Sequence, residues 1–467
     1  MAASTEHGRT REALVGVAIA LLHLGVLALF GPSLGVSFPL DDAYTHQVYA
    51  EGLRYGDGLA YLPGVPAAGS TSPLWALALV PIQLAPVAAS VPLTQALGVL
   101  LWLGLAWTAG ALGRRFDPTV GPFAAFAVLL DPSLAMAALS GMEVLLAAWL
   151  VMGAWLALHD ERPRLAGLLF GLGIAARPEL TVAWVVATAF VAVRDRRPPW
   201  ALLVPGVVVW GAWAAWNHHA VGTWLPTTFF AKHGPQSIAA RWLDLPRAVA
   251  QTAGALPMLA LLPLAALAFR RTWSVARPLW IFLLLWPLAL AWAHDLRETW
   301  RLYWWRYALP AHPLLLVFVV VGAAGLSRRR LAFGAVAAVC LLGVVQVGPH
   351  LAGSCRNVAE LNVAAARWLD AHAGPNDWIA SNDAGAVRRL TGRPVVDLLG
   401  LNDAEVLVDR VAVLERRRPG WYVVFPSWFP NLVSSPRYEV VRRFESTPLE
   451  ICGECDQSEL VVLRPRL

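Results

Sequence analysis

Apolar runs close to bilayer-spanning length recur from Ala13 to about residue 347, separated by short polar punctuation. Nothing else in the chain restricts its fold so strongly. In hydrocarbon every backbone N–H and C=O must find its partner within the segment, so such runs fold as helices. Composition points the same way: 57% of residues are hydrophobic and 15% charged, where soluble domains carry roughly a quarter charged. The spacing predicts a polytopic α-helical membrane protein of about eleven transmembrane helices. The first, Ala13 to Phe30, follows a short polar stretch with Arg9, Arg11 and Glu12. Because so many spans come after it, it reads as an uncleaved helix rather than a signal peptide.

Arginine placement sets the orientation, since short loops rich in Arg or Lys stay cytoplasmic. Arg114-Arg115 and the stretches 159–164, 194–197, 270–277 and 328–330 all lie inside if residues 73–113 cross once. That region is apolar enough for two spans, so a re-entrant or interfacial piece is expected there, or the parity reverses. On this reading the N-terminus is inside and residues 350–467 are outside, which places the protein in the cell membrane with its active site and tail extracytoplasmic. The net charge of +6 then reflects topogenic arginines, and no nucleic-acid partner is needed to explain it.

Two domains are expected: 1–349, which includes a long outer loop 31–72, and a small extracytoplasmic α/β tail, 350–467. In the tail, residues 357–371 have helical spacing of apolar side chains, and 378–380, 395–397, 421–425, 438–444 and 460–463 read as short strands. No glycine-rich phosphate loop follows any of these strands. An exported tail meets an oxidising compartment, so a disulfide between Cys452 and Cys455, or from either to Cys355, is expected.

Acids and bases outside the arginine clusters gather in the outer loops and turns. If Asp41 caps a helix running to about Arg54, then Asp42, His46 and Tyr49 share one face and present an acid, an imidazole and a phenol together. The plainer alternative is that both aspartates only serve the positive end of that helix. Glu143, Arg177 and Glu179 sit at turns between spans, where charges face a cavity or each other. A structural salt bridge among them is weighed equally with substrate contact. Lys232 is the sole lysine of the chain, so it stands out as a compact ammonium in an outer loop. Arg306 is a second candidate cation, although Trp300, Trp304 and Trp305 beside it also suit interfacial anchoring. His218 and His219 lack a third ligand at suitable spacing, so no histidine metal site is read there. Asp383, Asp397, Asn402 and Asp403 read as turn and capping residues.

The strings DDAY (41–44), HQVYAEGLRYGDGLAYLPG (46–64) and GSTSPLW (69–75) resemble the first outer loop of the GT-C superfamily of membrane glycosyltransferases. Similar short strings follow in order at 140–144, 175–179, 225–234, 306–315 and 382–403, so the resemblance spans nearly the whole chain. It looks closest to the arabinofuranosyltransferase type, with aminoarabinose transferases and protein mannosyltransferases further away. The resemblance implies transfer of a sugar from a polyprenyl-phosphate donor to an envelope acceptor: a glycan, lipid or protein. It puts the general base on Asp41 or Asp42; a phosphate leaving group also needs cations, for which Lys232 and Arg306 are the candidates, and His46, Tyr49, Glu143, Arg177 and Glu179 are the candidate substrate-binding residues. Inversion follows from a single displacement. A divalent cation on Asp41 and Asp42 is compatible with this, since related enzymes differ in metal use. Two other classes stay in view: a transporter or flippase for a lipid-linked or polar solute, and a non-catalytic assembly protein that binds prenyl phosphate.

Overall fold

The computed structural model describes residues 2–31, 35–232, 242–243, 245–293, 306–448 and 458–466. Helices dominate the first three quarters: α1 (Ala2–Ala28), α2 (Asp42–Tyr55), α3 (Pro73–Leu79), α4 (Ser90–Phe116), α5 (Gly121–Leu130), α6 (Pro132–Leu139), α7 (Val144–His159), α8 (Pro163–Ala176), α9 (Thr181–Asp195), α10 (Trp200–Val221), α11 (Thr227–Lys232), α12 (Leu245–Thr252), α13 (Leu262–Ala293), α14 (His312–Ala324) and α15 (Arg329–Val358). A hairpin of β1 (Ala60–Leu62) and β2 (Val65–Pro66) follows α2.

This is a multi-pass membrane fold. Among the described residues, Val87–Phe116, Trp200–Val221, Pro257–Trp292 and Arg329–His372 are long and apolar enough to cross a membrane, and the pair α5 and α6, bent by 61°, makes a fifth. The distance from about eleven expected crossings lies in apolar helices of 10–17 residues, such as α7, α8 and α14, which fall short of the roughly 20 residues a span requires. Residues 73–113 hold one long helix, α4, led in by the short apolar stretch Pro73–Leu84.

The bend between α5 and α6 has a local cause. Asp131 ends one helix and caps the next, accepting from the Leu134 N–H at 2.9 Å, with Pro132 in the first turn. Its other carboxyl oxygen lies 2.9 Å from His312 Nε2, and His312 Nδ1 lies 3.0 Å from the Thr252 carbonyl. Both residues are buried, so this pair ties α6 and α12 to the start of α14 and fixes the segment that leads from Arg306. Close helix approach also matters. A Cβ at Gly98 would stand 2.0 Å from the Ala138 carbonyl oxygen, so α4 and α6 meet only because that residue has no side chain.

No break occurs at residue 350. Helix α15 continues through a π-helical turn, Ala359–Val363, into α16 (Ala364–His372). The tail then runs β3 (Ile379–Ser381), α17 (Gly385–Thr391), β4 (Val395–Asp397), α18 (Ala404–Arg417), β5 (Trp421–Val424), α19 (Pro430–Val433), β6 (Tyr438–Glu445) and β7 (Glu459–Pro465). Its sheet has the order β4-β3-β5-β7-β6, with β3 parallel to β4 and β5 and the remaining pairs antiparallel. The strand at 395–397 lies where the sequence reading puts it, and the others shift by one or two residues. Cys355 is a buried free thiol among the described residues; Cys452 and Cys455, the partners considered for it and for each other, lie outside the described residues.

The tail shares a core with the segment 48–76. Val48, Tyr49, Tyr61 and Leu62 pack in one cluster with Leu361, Leu369, Val387, Val395, Trp421 and Val462. Each fully buried large apolar side chain there contributes about 1.5–3 kcal/mol, enough to hold the tail against the helical part rather than leave it tethered.

Candidate functional site

Helix α2 begins one residue after Asp41, as the spacing predicts, but Asp41 does not cap it. Its backbone is already helical (φ −63, ψ −32) and its side chain makes no cap bond. Instead the carboxylate receives the first amides of α17, with Gly385 N–H donating to Oδ2 at 2.6 Å and Ala386 N–H donating to Oδ1 at 2.8 Å. The unsatisfied N–H groups and positive end of a helix suit a carboxylate. Glycine is required at 385, since a Cβ there would stand 2.3 Å from the Asp41 carbonyl oxygen and 2.7 Å from its carboxylate. Gly385→Ala is therefore expected to loosen the tail from α2, read as faster hydrogen exchange in α17; unchanged exchange would show the clasp to be incidental.

Burial, and then the neighbouring Asp383, push the Asp41 carboxyl well above its ordinary value in spite of those two amides. Burial likewise raises Asp383 and Asp397, each to about 6. Asp383 accepts from Asn362 Nδ2 at 3.0 Å, and Asp397 accepts from the Leu399 N–H and the Asn402 N–H and side chain. The direction of linkage follows from these raised values. Between about pH 4 and 6 the folded tail keeps protons that the unfolded chain has released, so stability falls as pH rises through about 6. The full chain should melt at a higher temperature at roughly pH 5 than at pH 7.5, and Asp383→Asn should flatten the difference. Equal melting temperatures in the unsubstituted chain would contradict it.

Asp42 turns the other way. Arg306 donates to its Oδ2 from both Nη1 and Nη2, at 2.9 and 3.0 Å. The Asp42 side chain remains 43% exposed while that of Arg306 is 6% exposed. From this pair a polar chain continues inward. Arg306 also donates to the Tyr307 hydroxyl at 3.1 Å, and the Arg177 and Arg306 guanidiniums lie 4.9 and 5.0 Å from the centroid of the Tyr307 ring. Arg177 pairs with Glu143 at 2.6 Å and Glu179 at 3.2 Å, and His46 Nε2 is 3.2 Å from Glu143 Oε2. Burial alone would raise the Glu143 carboxyl, but Arg177, His46 and Arg306 outweigh it and hold it at about 2.

The structure thus joins Asp42, His46, Glu143, Arg177, Glu179 and Arg306, residues drawn from four separate stretches of sequence. Tyr49 leaves this group: its hydroxyl donates to Asn402 Oδ1 of the tail at 2.9 Å. The shared helix face predicted for Asp42, His46 and Tyr49 is real, yet each residue serves a different partner. Lys232 closes α11, and its side chain lies outside the described residues. No group of three or more His, Cys, Asp or Glu is arranged to hold a metal ion among the described residues. Sequence reasoning passed over Asp131 with His312, and Arg388 with Arg389, because their partners lie far away in the chain.

Residues 355–462 match a family model described as a domain of unknown function, DUF8728. No curated protein matches the chain. Among solved structures, ArnT from Cupriavidus metallidurans in the apo state is 15% identical with a TM-score of 0.67, over 98% of each chain. The same protein bound to undecaprenyl phosphate is 16% identical with a TM-score of 0.64, over 96% of this chain and 97% of that one. At such low identity the likeness speaks to architecture, and it establishes that this chain has an ArnT-like fold over nearly its whole length, tail included.

Proposed function

We propose that the chain is a GT-C-type glycosyltransferase of the cell membrane, acting on the outer face with a polyprenyl-phosphate sugar as donor and an envelope glycan, lipid or protein as acceptor. The observation that carries this reading is the pairing of Asp42 with Arg306: a partly exposed carboxylate beside a buried guanidinium, at the meeting of outer loop and tail. The ArnT-like fold supports it, since one of those structures holds undecaprenyl phosphate.

In the proposed reaction Arg306 binds the donor phosphate, as guanidinium groups do bidentately. Asp42 accepts the proton from the acceptor hydroxyl. The acceptor oxygen bonds to the anomeric carbon, the bond from that carbon to the phosphate oxygen breaks, and the prenyl phosphate leaves with that electron pair. One displacement of this kind inverts the anomeric centre. Asp41, whose carboxylate is engaged by α17, positions the tail instead. Glu143, Arg177, Glu179 and His46 form the support on which Arg306 and Tyr307 rest. The test is transfer of radiolabelled sugar from a panel of polyprenyl-phosphate sugars to envelope extract by the full chain in membranes. Transfer from at least one donor is expected; none from any donor would leave transport or simple prenyl-phosphate binding as the better reading.

A further inference from the structure

A second charged cluster lies away from the Asp42–Arg306 pair, toward the C-terminal end of α2. Glu51 and Arg54 stand nine and twelve residues beyond Asp42, about 14–18 Å along a helix. Helix α17 runs beside α2 and brings Arg388 and Arg389 to the same place. Arg388 Nη1 is 3.9 Å and Arg389 Nη1 3.7 Å from the Glu51 carboxylate. Arg388 also donates to the Tyr61 carbonyl at 3.2 Å, Arg389 to Gln83 Oε1 at 2.8 Å, and Arg54 to the Gln83 carbonyl.

The charges do not balance. Among the described residues the titratable neighbours that act on Arg389 are Glu51, Arg388, Tyr55 and Arg54, so three guanidiniums share one carboxylate. Arg388 and Arg389 are each only 6% exposed, and Arg389 Nε is buried without a hydrogen-bond partner. Burial draws Arg389 below its ordinary value, with Arg388 and Arg54 adding to this and Glu51 opposing it. Buried cations without matching anions are costly, and guanidiniums grouped in this way suit phosphate. The surroundings name the setting. Leu77, Leu84 and Val87, on either side of Gln83 in sequence, are 57%, 74% and 42% exposed, an apolar border of the kind a lipid tail covers.

We propose that Arg54, Arg388 and Arg389 form a phosphate-binding site at the membrane border, filled by a lipid headgroup or by free phosphate. The site is separate from the Asp42–Arg306 pair and does not depend on the reaction proposed there. The test uses the full chain purified in detergent. Retention of phosphatidylglycerol against phosphatidylcholine is counted by native mass spectrometry, and inorganic phosphate is titrated in a thermal melt at constant ionic strength. Preferential retention of phosphatidylglycerol, weakened roughly tenfold by Arg389→Gln and by Arg54→Gln and strengthened by Glu51→Gln, supports the site and names a lipid as its ligand. A melting shift with inorganic phosphate that is lost in Arg389→Gln, with no lipid preference, supports the site and names free phosphate. Arg54 is exposed, so its variant reports even if Arg389→Gln fails to fold. Absence of both responses in the unsubstituted chain overturns the proposal, as does an unchanged response in both arginine variants.

Discussion

An Asp42→Asn chain is expected to lose sugar transfer by a factor of about 10²–10⁴, the usual contribution of a positioned general base, while melting close to the unsubstituted temperature. Asparagine keeps the shape of the side chain and one acceptor oxygen for Arg306, but it cannot take the acceptor's proton. Its effect on stability should be small, because Asp42 is 43% exposed at the side chain and Arg306 keeps the Tyr307 hydroxyl as a partner. Asp41→Asn gives the contrast. It weakens the hold on the Gly385 and Ala386 amides, so it should lower the melting temperature and reduce transfer less. Initial rates at saturating donor, measured beside thermal melts of the same preparations, separate the two. Equal rates for Asp42→Asn and the unsubstituted chain would rule Asp42 out as the base.

Replacing Arg177 by methionine should cost about 3–5 kcal/mol, the usual penalty for breaking a buried ion pair from one side. Arg177 and Glu143 are only 3% and 4% exposed. Without the guanidinium, Glu143 keeps His46 and the more distant charge of Arg306, and the burial that Arg177 helps to outweigh would favour its protonated form. A loss of this size is a large fraction of the roughly 5–15 kcal/mol that holds a typical domain folded, so the folded yield after extraction should fall. Adding Glu143→Gln removes the stranded charge and should recover part of the loss, a non-additivity a double-mutant cycle detects. Folded yield by size exclusion and melting temperature give the readout. Full accumulation of Arg177→Met would show that the network carries no such energy.

Local order was legible in the sequence where it depends on near neighbours. Helix α2 and strand β4 lie where the sequence reading puts them, because a helix start and a short strand are set by residues a few positions apart. The partners of charged groups were not legible. Arg177 and Glu179 lie two residues apart and could be paired on the page, but Arg306 reaches Asp42 across 264 positions and Asp41 reaches Gly385 across 344. Nothing in either string specifies such a contact. The cap expected from Asp41 illustrates the limit: the residue type suits a helix N-terminus, and it does serve one, but the helix belongs to the tail. The buried Asp131 and His312 left even less trace, since each sits alone in an apolar stretch and only the bend at Pro132 brings the first to face the second.

The order of strands in the tail has a consequence for how the protein is made. Strand β7 lies between β5 and β6 in the sheet, although it follows both in the chain. Until it arrives, β5 and β6 have no bond to each other and the sheet stays open along one side, exposing unpaired backbone. The surface that meets Asp41 belongs to that same tail. A chain emerging from the ribosome therefore completes its C-terminal sheet late, and the segment carrying Asp41 and Asp42 waits for a clasp synthesised some 344 residues later.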